Sequence, residues 1–221
     1  MAAVIIYLLS AIGIFLCPAF AFDPRPQQDI CVADLSKGAN PNGLLPLPCM
    51  DPTNVTADHF YSDDLRTPGN TNNPFRAAFT ALDSAQVPGR NTLGMTVSRL
   101  DVGPAGFYAF HAHPRAAELF VVMRGQLEVG FVTSTQHRLY KKILSPGDVF
   151  YVPLGLLHYQ RNPGNSSSTV AYSVLNSQSP GLNSITHAAF GASPSIDSGY
   201  LADAFQLDLR TIQSLQGKQW V

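Results

Sequence analysis

Residues 106–125 read GFYAFHAHPRAAELFVVMRG, and residues 147–162 read GDVFYVPLGLLHYQRN. In both, apolar residues surround a histidine and are closed off by glycine or proline, the punctuation of short strands rather than helices. Residues two apart on a strand project to one face, so His111 and His113 point the same way. Pro114 then breaks the strand, Glu118 opens the next one, and His158 follows a turn at Pro153 and Gly155. Three imidazoles and one carboxylate form a mixed nitrogen and oxygen donor set, suited to manganese or iron and less well to zinc. In an octahedral site four such ligands leave two positions open, which points to chemistry or ligand exchange at the metal.

Working outward, strand-like runs recur at short spacing: FRAAFTAL, LGMTVSRLDV, GFYAFHAH, ELFVVMRGQLEVGFV, RLYKKIL, DVFYVP, LLHYQRNP and TVAYSVLN. Turn signals separate them, and no helical period intervenes before the end of the chain. The expectation is an all-β sandwich or barrel of the jelly-roll kind over residues 70–192. In LEVGFV, Leu127, Val129 and Phe131 share one face, whereas VFYVPL is apolar on both and calls for a cover outside. Met95 and Met123 read as core. Residues 22–69 are proline-rich and aperiodic, an extended arm against the barrel. Residues 193–221 carry helical spacing, Leu201 with Phe205 and then Leu209, Ile212 and Leu215, preceded by the capping residues Ser195, Asp197 and Ser198. Two short helices are expected there.

The 221 residues suffice for one good-sized domain. Only 13% are charged, the net charge is -1, and no Lys/Arg cluster occurs, which excludes nucleic acid and anionic membrane as partners. Residues 1–21, MAAVIIYLLSAIGIFLCPAFA, carry no charged side chain and end in a small-x-small pattern, so they read as a signal peptide cut before Phe22, with no membrane span left afterwards. Export leaves Cys31 and Cys49, whose pairing would close a loop worth about 3 kcal/mol; two buried free thiols are the alternative. Asn54 and Asn165 sit in N-x-S/T sequons that fit a eukaryotic secretory route.

These stretches resemble the two motifs of the germin-like proteins of the cupin superfamily. The first, G-x5-H-x-H-x3-4-E-x6-G, is matched by His111, His113, Glu118 and Gly125. The second, G-x5-P-x-G-x2-H-x3-N, is matched by Gly147, Pro153, Gly155, His158 and Asn162. QQDICVADL, the two cysteines, PGRNTLG, SQSPGLNS and FGASPSI extend the similarity over essentially the whole mature chain. The resemblance implies a single β-jelly-roll barrel holding Mn2+ on His111, His113, Glu118 and His158, which are then the catalytic residues as well. It also implies a disulfide-tied N-terminal arm, C-terminal helices that clasp neighbouring subunits, a hexamer built as a trimer of dimers, and secretion to the plant extracellular matrix, the apoplast and cell wall.

Departures from the family bear on activity. The leading glycine of the first motif is Ala105, and the usual PPH is AFH at Ala109, Phe110 and His111, so Phe107 and Phe110 become candidate substrate contacts. Two asparagines of the family's oxalate oxidases correspond by resemblance to Asn91 and Ser98, whose shorter hydroxyl puts oxalate oxidation in doubt. Asn162 either orients the strand bearing His158 or touches substrate. The function implied first is a Mn-dependent superoxide dismutase acting on a small-molecule substrate. Oxalate oxidase releasing hydrogen peroxide is the enzymatic alternative, and a cell-wall binding or receptor-like module is the non-enzymatic one.

Overall fold

The computed structural model describes residues 28–37, 46–218 and 220; the signal peptide expected over residues 1–21 lies outside them. Ten strands follow in order: β1 (Ala77–Ala81), β2 (Thr96–Val102), β3 (Phe107–Ala112), β4 (Glu118–Arg124), β5 (Leu127–Val132), β6 (Leu139–Leu144), β7 (Val149–Val152), β8 (Leu157–Arg161), β9 (Thr169–Leu175) and β10 (Asn183–Ser184). Helices α1 (Ile185–Phe190), α2 (Ser198–Phe205) and α3 (Leu209–Gln216) close the chain. The strands form two five-stranded sheets, β1-β2-β9-β4-β7 and β10-β3-β8-β5-β6, every neighbouring pair antiparallel. This is the jelly-roll arrangement the strand count required.

The core lies between the sheets and follows the strand alternation. Leu100 and Val102 of β2, Phe120 and Val122 of β4, Leu127 and Val129 of β5, Val152 of β7 and Ala171 of β9 are buried in one cluster, with Phe131 packed against it. Gly125 turns β4 into β5 at φ +75°, where a Cβ would also stand 2.8 Å from the Ser168 carbonyl oxygen. The same alternation corrects the reading of the methionines. Met123 falls between inward Val122 and the strand end and is 53% exposed, and Met95, ahead of β2, is exposed as well. On β7, Val149 and Tyr151 face outward uncovered by the single chain, Tyr151 at 70% exposure.

The arm is fixed at two points. Cys31 and Cys49 form a disulfide, flanked by the bridge between Ala33 and Cys49. Asn91 is completely buried: its Nδ2 donates to the Leu47 carbonyl at 2.8 Å and contacts Cys31 Sγ at 3.3 Å, while its Oδ1 accepts from Leu47 N. Further along, Arg99 on β2 forms a two-pronged ion pair with Asp101 and donates to the Leu65 and Arg66 carbonyls, pinning the end of the arm to the sheet.

On the outer face of the second sheet, Glu128 lies almost fully covered by Tyr159, whose hydroxyl donates at 2.8 Å, and by Arg161, also at 2.8 Å. The Arg161 hydrogen bond, against the opposing effect of burial and with help from Tyr159, lowers the Glu128 carboxyl below its usual range. A depressed carboxyl stabilises the fold above its unfolded value near 4.5, and that contribution disappears as pH falls through the lower folded value. Acid titration below pH about 4.5 should therefore cost the wild type roughly 1 kcal/mol that Glu128→Gln does not lose; parallel denaturation curves of the two proteins check it.

At the C-terminal end, Asp197 and Asp208 cap α2 and α3 by accepting from Tyr200 N and Thr211 N. Helix α1 was not expected from the sequence. It is a six-residue turn started by Ser184, too short to show a period.

Candidate metal centre

The three histidines and the glutamate come from both sheets. His111 of β3 is the register partner of His158 of β8. His113 follows one step past the end of β3, and Gly155 N, in the turn before β8, donates to its carbonyl at 3.2 Å, tying the two motif stretches together. Glu118 opens β4 in the opposite sheet, paired with Val152 and Leu175. All four side chains are buried, and their ligand atoms lie within 4.8 Å of one another.

Each imidazole is held by a backbone carbonyl: His111 Nδ1 by Ala109, His158 Nδ1 by Leu156, and His113 Nδ1 by Gly181. A carbonyl can only accept, so every Nδ1 carries the proton and every neutral ring presents a bare Nε2 to the interior. The Nε2 atoms of His158 and His113 stand 3.0 and 3.3 Å from the same oxygen, Glu118 Oε2. Lone pairs facing a carboxylate at that range repel unless a cation lies among them. His113 Nε2, buried without a hydrogen-bond partner, states the requirement most plainly. A divalent metal meets it, and the carbonyl partners are the outer supports that fix a ligating ring.

The electrostatics agree. Burial, followed by the neighbouring His158, pushes His111 down to about 3, so that ring stays neutral. Burial opposes the charged form of His113 as well, but the Glu118 carboxylate and the Gly181 carbonyl outweigh it and raise that ring. Burial would raise Glu118, yet positive charge on the His113 and His158 side, the charge a metal cation would supply to the neutral rings, holds it down at about 2, an ionised carboxylate even in a dry site.

Of the candidate substrate residues, none is brought to the cluster with a free group. Asn91 is spent on the arm. Asn162 Nδ2 donates to the carbonyls of Gly103 and Ser167, with Val102 at 3.3 Å, and its Oδ1 accepts from Gly164 N, so it clasps the loops beneath the site. Ser98 Oγ pairs with Ser173 Oγ at 2.8 Å. Phe107 packs edge-on against Phe75 and Phe110 against Tyr159, both well exposed and turned away from the ligands. Phe110, next to His111, takes the opposite face by ordinary alternation, and Phe107 is turned out by a bulge: the β3–β8 register shifts between Tyr108 and His111, which reverses the parity counted back from His111. Tyr108 is the aromatic that turns inward, its ring centroid 5.0 Å from that of His111. Burial and then the Glu118 charge raise its phenol, which remains protonated. Gln160, two residues past His158 and equally buried, also lines the interior; period two from His158 was signal enough to find it.

Ala105 sits just ahead of this strand at φ +51°, a left-handed conformation that L residues rarely adopt. Ala105→Gly should therefore stabilise the protein by about 1 kcal/mol, read as a shift of the denaturant midpoint at unchanged slope.

Comparison with known proteins follows this geometry. The cupin family model matches residues 63–213. The chain is 44% identical to Germin-like protein 8-2 of Oryza sativa subsp. japonica over 94% of this chain and 93% of that protein. It is 42% identical to Germin-like protein subfamily 1 member 13 of Arabidopsis thaliana over 98% and 96%. Among solved structures, a recombinant oxalate oxidase in complex with glycolate superposes with a TM-score of 0.82 at 36% identity, covering 88% of this chain and 96% of that one. Peruvianin-I, a cysteine peptidase from Thevetia peruviana latex, superposes at 0.68 with 34% identity over 74% and 98%.

Proposed function

This chain belongs to the germin-like proteins of the cupin family, and from that membership we propose that it is a secreted manganese protein that dismutates superoxide. The observation that supports the reading most directly is the buried set of three bare Nε2 atoms around one carboxylate. Manganese bound there supplies one-electron redox chemistry. The chain's own part is to hold the site ready. The carbonyls of Ala109, Leu156 and Gly181 fix the three rings, Glu118 offsets part of the cation's charge, and the closed sheets keep bulk water from the ligands. Manganese-loaded protein should dismutate superoxide well above free manganese at equal concentration; parity with free manganese contradicts the proposal.

A second reading, oxalate oxidase, draws support from the oxalate oxidase structures. Against it, the Ser98 hydroxyl is engaged with Ser173 and the Asn91 amide with the arm, so neither is available to a dicarboxylate. Hydrogen peroxide released on adding oxalate would establish it, and metal without either turnover would point to a cell-wall binding or receptor-like module.

The same proposal has residues 1–21 removed on export to the extracellular matrix, N-glycans on Asn54 and Asn165, and subunits assembled as a hexamer, a trimer of dimers. Its parts are the arm at 22–69, the barrel at 70–192 and the helical extension at 193–221. Both asparagines are exposed. Ile143 of β6, Val149 and Tyr151 of β7, and Tyr200 and Phe205 of α2 present apolar surface that an assembly would cover. No helix among the described residues is long and apolar enough to cross a membrane.

A further inference from the structure

We propose that Arg115, an exposed residue outside the ligand set, is the positioning residue of His113, holding in place the Gly181 carbonyl that orients this ring; the inference rests on the metal-centre reading above. His113 differs from the other two histidines in where its support comes from. His111 and His158 each use a carbonyl two residues back in their own stretch of chain, so the local backbone fixes the ring. His113 Nδ1 is held instead by Gly181, 68 positions away. Its support belongs to another segment and is only as firm as that segment.

That segment, residues 176–181, runs from the end of β9 toward β10 and is pinned at both ends. At its start Thr96 Oγ1 donates to the Ser177 carbonyl at 2.7 Å, Arg90 Nη2 to the Gln178 carbonyl at 3.0 Å, and Thr92 N to Gln178 Oε1 at 2.7 Å. At its far end the partner is Arg115. Its backbone N donates to the Pro180 carbonyl at 3.1 Å and its Nε to the Ser179 carbonyl at 2.6 Å, with Nη2 3.3 Å from Ser179 Oγ. Gly181 comes next, at φ +69°, a conformation in which L side chains are strained. A glycine peptide has no side chain to limit its rotation, so the direction of its carbonyl has to be set by what packs against it. Arg115 Nη2 and Pro114 Cγ each stand 3.0 Å from where a Gly181 Cβ would lie. The guanidinium thus occupies the place of the missing side chain, while its Nε holds the strap two residues earlier. A backbone choice that glycine leaves open is closed by Arg115, and the His113 ring follows. Loss of such an outer partner weakens a ligating imidazole by roughly ten- to a hundredfold in metal affinity.

Hydrogen exchange of the imidazole Nδ1–H protons, followed by NMR on the mature chain freed of metal, tests the support without reading activity. Arg115→Met keeps the aliphatic stem and removes the guanidinium. The His113 Nδ1–H should exchange about tenfold faster in this variant, with those of His111 and His158 unchanged because their carbonyls are local. Gly181→Ala strains the same contact from the other side and should give the same selective loss. Manganese affinity, by competition against a chelator, should fall about tenfold in each. Unchanged exchange at His113 in both variants overturns the proposal. So does equal acceleration at all three rings, because Arg115 would then be stabilising the fold at large. A wild type that takes up no manganese but shows the His113-selective change would sink the metal centre and leave the positioning role standing. Manganese uptake without that selective change would do the reverse.

Discussion

Glu118→Gln should weaken metal binding by roughly a hundredfold or more, because the amide removes the one negative charge among the ligands while keeping the shape. The consequence reaches the fold. A metal present at 100 times its dissociation constant stabilises the native state by about 2.7 kcal/mol. The wild type should lose that increment on chelation, whereas the variant should melt at the same temperature with and without chelator. Competition against a chelator of known affinity, paired with thermal melts, measures both effects. A variant that keeps its metal against the chelator would contradict the ligand assignment.

Asn162→Ala is expected to be among the most damaging single substitutions away from the ligands. The amide is buried, donates to the carbonyls of Gly103 and Ser167 and accepts from Gly164 N, and the backbone N of Asn162 itself donates to Gly106. Truncation leaves the Ser167 carbonyl and the Gly164 N–H without their Asn162 partner, while the Gly103 carbonyl keeps its bond from Gly106 N, at a cost of about 2–3 kcal/mol. Since the turn sits where β3 begins and β8 ends, the variant should also hold metal less tightly. A midpoint shift corresponding to under 1 kcal/mol in denaturant would show that the clasp is dispensable.

Much of this was legible in the sequence, and the boundary of what was not has a physical meaning. Eight apolar runs contain nine of the ten strands, because alternation and turn residues are local signals. The two-residue β10 and the six-residue α1 are too short to carry a period. His111, His113, Glu118 and His158 could be named because ligand spacing is written along the chain. The second tier failed differently. Asn91 invites a role at the metal, yet it is spent on Leu47 and Cys31, contacts made by a segment more than forty residues away. Phe107 and Phe110 stood out as departures from the family's first motif, but a departure in sequence does not say which face a side chain takes, and the register shift between Tyr108 and His111 turns Tyr108 inward instead of Phe107.

That shift has a bearing on how this protein can be compared with its kin. The two-residue period is a ruler only where the ladder is unbroken, and here the ruler slips between Tyr108 and His111. A relative in which β3 ran straight through would present a different column of side chains to the metal, although its letters aligned with these one for one. Over residues 107–110, homologous position and equivalent position are therefore separate properties, and function should be transferred between relatives by the second.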